Sequence, residues 1–108
     1  MIYEIVLSES AKTDLKDIYR YIYSELQVPE TAKNIVRKIL SKIDQLNEMP
    51  ERYRFYPEEP MYSNEIRFFT VANYLVFHKV SKNKNAVFIS RIIYGGRNIR
   101  KQLIEIIE

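Results

Sequence analysis

The feature that most constrains this chain is a change of hydrophobic period near its middle. Over the first half, Ala11, Leu15, Ile18, Ile22 and Leu26 recur at spacings of four, three, four and four, which places them on one stripe of a helix. Ala32, Ile35, Ile39, Ile43 and Leu46 form a second stripe, widened by Val36 and Leu40. Between them stands Pro29, which suits a helix start and breaks a helix interior, so the spacing predicts two helices joined by a turn. Asn47 to Pro50 ends the second helix, because the residue before a proline is pushed out of the α region. Over the second half the pattern becomes runs of Val, Ile, Phe and Tyr. Residues 65–71, 74–80 and 86–94 read as three strands, separated by Ala72-Asn73 and by the polar residues 81–85.

A further short run, Tyr3 to Leu7, reads as a first strand, with Ser8 or Ser10 capping the helix after it. Residues 50–63, with Pro50, Pro57, Pro60 and Glu58-Glu59, read as an irregular connection. Gly95-Gly96 breaks the last strand, and from Asn98 a terminal helix places Ile99, Leu103, Ile106 and Ile107 on one face. The expected fold is α+β: a strand, a helical hairpin, a three-stranded antiparallel meander and a C-terminal helix, in one domain spanning residues 1–108. The hairpin is expected to cover one face of the sheet, leaving the other to the exposed positions of the basic half.

Charge divides the chain in two. From Ile66 to Ile104 there are Arg67, Lys79, Lys82, Lys84, Arg91, Arg97, Arg100 and Lys101, with no Asp or Glu, although the whole chain carries only +3. Such a half favours a polyanion or an acidic protein segment. The absence of Cys excludes disulfides, thiolate metal sites and cysteine nucleophiles, and fits a reducing compartment. With a single His, no metal and no cofactor are expected. No apolar stretch approaches the length of a membrane span, and the N-terminus lacks a basic leader, so a cytoplasmic location with no membrane partner is expected.

Little conventional chemistry survives inspection. His78 lies in a strand and reads as a packing residue. The adjacent Glu58 and Glu59 point apart in extended backbone, and Gly95-Gly96 lacks the rest of a phosphate loop. What remains is Arg67, Arg91, Tyr94, Arg97 and Arg100, on or just after neighbouring strands. Arginine forks can hold a phosphodiester, and a tyrosine can stack on a base or donate a proton, so the set suits metal-independent RNA cleavage or docking alone. The structural alternative is that the arginines pair within the fold. Arg91, inside an apolar run, is the first candidate for that role.

Several segments in this order resemble toxins of the RelE/ParE superfamily. They are Ser10 to Leu15 with Tyr21-Ile22, Pro29 to Ala32, Leu46 to Pro50, Glu65 to Arg67, Asn73 to Phe77 and Ile89 to Arg97. The resemblance covers essentially the whole chain. It implies the fold above, and a growth-inhibiting, plasmid-stabilising toxin of a type II toxin–antitoxin system, held in check by a small antitoxin. Members divide into RelE-like ribosome-dependent mRNA endonucleases and ParE-like inhibitors of DNA gyrase.

By position, Arg67, Arg91 and Arg97 match sites where the family commonly has basic residues, and Tyr94 lies near the aromatic or His position ending the last strand. If the chain is a nuclease, Arg67, Tyr94 and Arg97 are the implied catalytic set. Otherwise Arg67, Lys82, Lys84, Arg91, Arg97 and Arg100 are the expected contacts to target or nucleic acid. The chain departs from RelE-like enzymes where Leu75, in place of Arg, follows Tyr74, and where Ile93 and Tyr94 replace a His found in some nucleases. These departures favour the ParE branch. The alternatives are the nuclease, with ribosome and mRNA as partners, and a non-toxic relative that still binds an antitoxin.

Overall fold

The computed structural model describes residues 2–96 together with Ile99, Lys101 and Leu103. In chain order the elements are β1 (Glu4–Leu7), α1 (Glu9–Arg20), α2 (Pro29–Asp44), β2 (Arg67–Val71), β3 (Tyr74–Ser81) and β4 (Ala86–Tyr94). A π-helical turn, Tyr21–Glu25, extends α1, and a 3₁₀ turn, Gln45–Asn47, closes α2. The four strands make one sheet in the order β1-β4-β3-β2. β2, β3 and β4 form the expected antiparallel meander, and β1 joins β4 in parallel, Glu4 opposite Ala86. The strand, helical hairpin and meander are thus as the sequence implies. Of the terminal helix, Ile99, Lys101 and Leu103 are helical, while Asn98, Ile106 and Ile107 lie outside the described residues.

Ser8 is the cap of α1: its Oγ accepts from the Ala11 N–H at 3.0 Å and donates to the Ser90 carbonyl at 2.8 Å. The cap therefore ties the helix start to β4. The predicted stripes bury Ala11, Ile18, Ile22, Ala32, Ile39, Ile43 and Leu46 against Phe69, Val71, Val76, Val87, Ile89 and Ile92 of the sheet. Leu26 does not follow its stripe and stands 53% exposed. Its N–H bonds to the carbonyl of Tyr21, five residues back, so the wider π turn rotates Leu26 away from the core. The second strand starts at Arg67, later than Glu65, because Glu65 takes a positive φ of 58° and the Ile66 N–H turns back to the Met61 carbonyl.

The second sheet face differs from the expectation of an open basic surface. Met61, Ile66, Phe77, Ile93 and Leu103 form a second buried cluster there, flanked by Tyr56, Phe68, Leu75 and Ile99. The reason lies in adjacent apolar pairs such as Phe68-Phe69, Val76-Phe77 and Ile92-Ile93. Neighbours on a strand point to opposite faces, so such pairs require both faces to be covered. The proline-rich connection supplies part of that cover through Tyr56 and Met61.

Candidate functional site

β4 extends past the end of β1, which pairs it only as far as Ile89, and α1 runs alongside the remaining edge. Asp14 of α1 meets that edge. Its carboxylate accepts from the Ile92 N–H at 2.9 Å and from Arg91 at Nε (2.8 Å) and Nη2 (3.0 Å). Both side chains are largely buried, so the two-pronged pair neutralises the charge of each while the same carboxylate satisfies the Ile92 N–H at the strand edge.

Arg67 is similarly engaged at the far edge of the sheet. It donates to the carbonyls of Tyr53 and Glu51, pairs with the Glu51 carboxylate at 3.3 Å, and lies over the Phe55 ring, 4.5 Å from its centroid. The guanidinium thus fastens residues 51–55 to β2, with Phe55 bridging to Arg67 as an isolated strand partner. Across the ladder from Arg67 is His78, fully buried between Tyr53 and Phe69. Desolvation, and then the nearby Arg67 charge, push its pKa down to about 4; the Val76 backbone pulls weakly the other way. Neither ring nitrogen makes a well-formed hydrogen bond among the described residues.

Tyr94 stands apart from Arg67. It is opposite Tyr74, whose ring it meets edge-on at 5.6 Å, whereas Arg67 is opposite His78. Four residues along β3 and two strands across place Tyr94 and Arg67 roughly 16 Å apart. They line different concavities. The Tyr94 groove, about 960 Å³, lies between the helical hairpin and the β2–β3 turn. Exposed Tyr21, Leu26 and Val28 give it apolar lining. Its described charges are Asp14, Asp17, Glu25, Arg20 and Arg91, a net charge of −1 once the Asp14–Arg91 pair cancels.

The smaller concavity, about 510 Å³, gathers Arg67, Lys79 and Lys82 with Phe55 and Phe88, beside Glu51 and Glu65. Lys82 pairs loosely with Glu51 at 3.4 Å, and Lys84 lies over Phe88 at 5.8 Å. Arg97 and Arg100 lie outside the described residues. Among the described residues no group of His, Cys, Asp or Glu could hold a metal ion, and no helix is long and apolar enough to cross a membrane. Two groups in the proline-rich connection are perturbed: burial, then Glu58, raises Tyr56, and hydrogen bonds from Ser63 lower Glu59.

Sequence reasoning passed over Asp14 and the Tyr94 groove. Asp14 was signalled, since spacings of three from Ala11 and four to Ile18 put it on the buried stripe, where an acid requires a partner. The groove was not, because the π turn that turns Leu26 outward breaks the periodicity used to read the helix.

Residues 5–99 match the family model described as the ParE toxin of the type II toxin–antitoxin system parDE. No curated protein sequence matches at a significant level. Among solved structures, the chain is similar to one from the chromosomal ParDE system of P. aeruginosa, with TM-score 0.68 and 23% identity over 86% of this chain and 96% of that one. It is also similar to one from the M. tuberculosis RelBE2 toxin–antitoxin complex, with TM-score 0.63 and 14% identity over 87% and 99%. A free E. coli RelE mutant aligns with TM-score 0.61 and 15% identity over 97% of each chain. At these identities the likeness is one of fold.

Proposed function

The chain belongs to the ParE toxin family of type II toxin–antitoxin systems, and from that membership and the groove beside Tyr94 we propose that it arrests growth by docking on DNA gyrase, without cutting RNA. The groove carries the reading. An apolar lining whose charges, among the described residues, are mixed and sum to slightly negative suits a protein segment better than a phosphodiester. Arg91 is neutralised by Asp14, Arg67 is engaged with residues 51–55, and the position after Tyr74 holds Leu75, packed in the second core. These arginines act as scaffold in this reading, and Tyr94 is a contact to the protein target.

A cognate antitoxin is the second partner. The ParDE and RelBE systems among the structural relatives pair a toxin of this fold with such a protein. The cytoplasm, where gyrase works, is the compartment this function requires. The nuclease alternative rests on Tyr94, which is 45% exposed and able to reach a base. Pulse labelling after induction of the chain alone separates the two. Early arrest of DNA synthesis with a DNA-damage response is expected; early arrest of translation with cleaved messages overturns the proposal. Unimpeded growth would instead mark a non-toxic, antitoxin-binding relative.

A further inference from the structure

Lys79, Lys82 and Lys84 are the exposed cations of the β3–β4 hairpin. Two of them, Lys79 and Lys84, flank the half-buried ring of Phe88. Phe88 belongs to neither buried cluster, whereas Phe55, which lines the same concavity, is held by Arg67 and Tyr62. Phe88 is opposite Lys79 in the β3–β4 ladder, and the Lys84 ammonium stands 5.8 Å from its ring centroid. The ring is thus bracketed by two lysines at the edge of the concavity that also holds Lys82, Ser81 and Asn83.

We infer that this end of the hairpin is a binding site for single-stranded nucleic acid, in which Phe88 stacks on an unpaired base while Lys79, Lys82 and Lys84 hold the flanking phosphates. A π-face between cations is the combination that single strands require, and a duplex offers no free base to the ring. Carboxylates also lie nearby. Glu51 already accepts from Arg67 and Lys82, and its exposed pairing with Lys82 is weak enough for a phosphate to replace. Glu65 lines the same concavity, and Glu4 is opposite Ala86 on the adjoining strand; both oppose an anion. The site is therefore one of moderate affinity. It stands separately from the gyrase reading, because it lies at the other end of the sheet from Tyr94.

The test is fluorescence anisotropy of the purified chain with labelled dT and rU 12-mers and a 12-base-pair duplex, without gyrase. Both single strands are expected to bind better than the duplex, and the stronger of the two identifies the preferred sugar. With three phosphates neutralised, affinity should fall roughly twentyfold between 50 and 200 mM salt. Phe88→Leu, checked for folding by circular dichroism, should weaken single-strand binding at least fivefold, and the exposed Lys84→Gln should lower the salt slope. Glu65→Gln should tighten binding. No binding at 50 mM salt, equal binding of duplex and single strand, or unchanged binding by folded Phe88→Leu would each overturn the site. None of these results bears on whether gyrase is the target.

Discussion

Acid should destabilise this protein through His78, over a window set by its burial. The free imidazole titrates near 6.5, and in the folded chain the value falls to about 4, first through desolvation and then through Arg67. Between these values the unfolded chain takes up a proton that the folded chain refuses. The contribution is therefore intact above pH 6.5, declines as the pH falls, and levels off below about 4. At 1.36 kcal/mol per pH unit the loss is about 3 kcal/mol, a large part of the stability of a small domain. Urea denaturation followed by circular dichroism at pH 7.5, 6.5, 5.5 and 4.5 measures it, with His78→Leu as the control. The variant removes two buried nitrogens that lack well-formed hydrogen bonds, so it should be at least as stable at pH 7.5 and should not show the decline. Parallel curves for the two proteins across this window would refute the assignment, because carboxylates elsewhere titrate in both.

Four substitutions test the scaffold by thermal or urea denaturation. Asp14→Ala should cost about 2–4 kcal/mol by removing the carboxylate that accepts from Arg91 and from the Ile92 N–H, and Asp14→Ala combined with Arg91→Met should recover part of the loss. Ile39→Ala should cost about 2–5 kcal/mol, since Ile39 is fully buried under the helical hairpin. Ala72→Gly should stabilise by about 0.5 kcal/mol, because Ala72 holds a left-handed φ of 54° in the β2–β3 turn.

Periodicity made most of this fold legible. Alternating spacings of three and four located both helices, and the bounds of β4 follow the run from Ala86 to Tyr94. The parallel pairing of β1 with β4 was beyond such reading, because strand order depends on contacts distant in sequence. So was the second core, part of whose cover comes from a proline-rich segment without a regular period. The site was less legible for a related reason. A list of basic residues does not show which are neutralised, and Arg67 and Arg91 meet Glu51 and Asp14 only after folding. Lys82 and Lys84, by contrast, stay at the surface of a polar turn, where composition places them.

Incubating the purified chain with purified gyrase, relaxed plasmid and ATP tests the central claim most directly. Loss of supercoiling at near-stoichiometric toxin, relieved by Tyr94→Ala in a folded protein, is the predicted result. Full supercoiling at a large excess of toxin, with ribosome-dependent cleavage of a message by the same preparation, would contradict it.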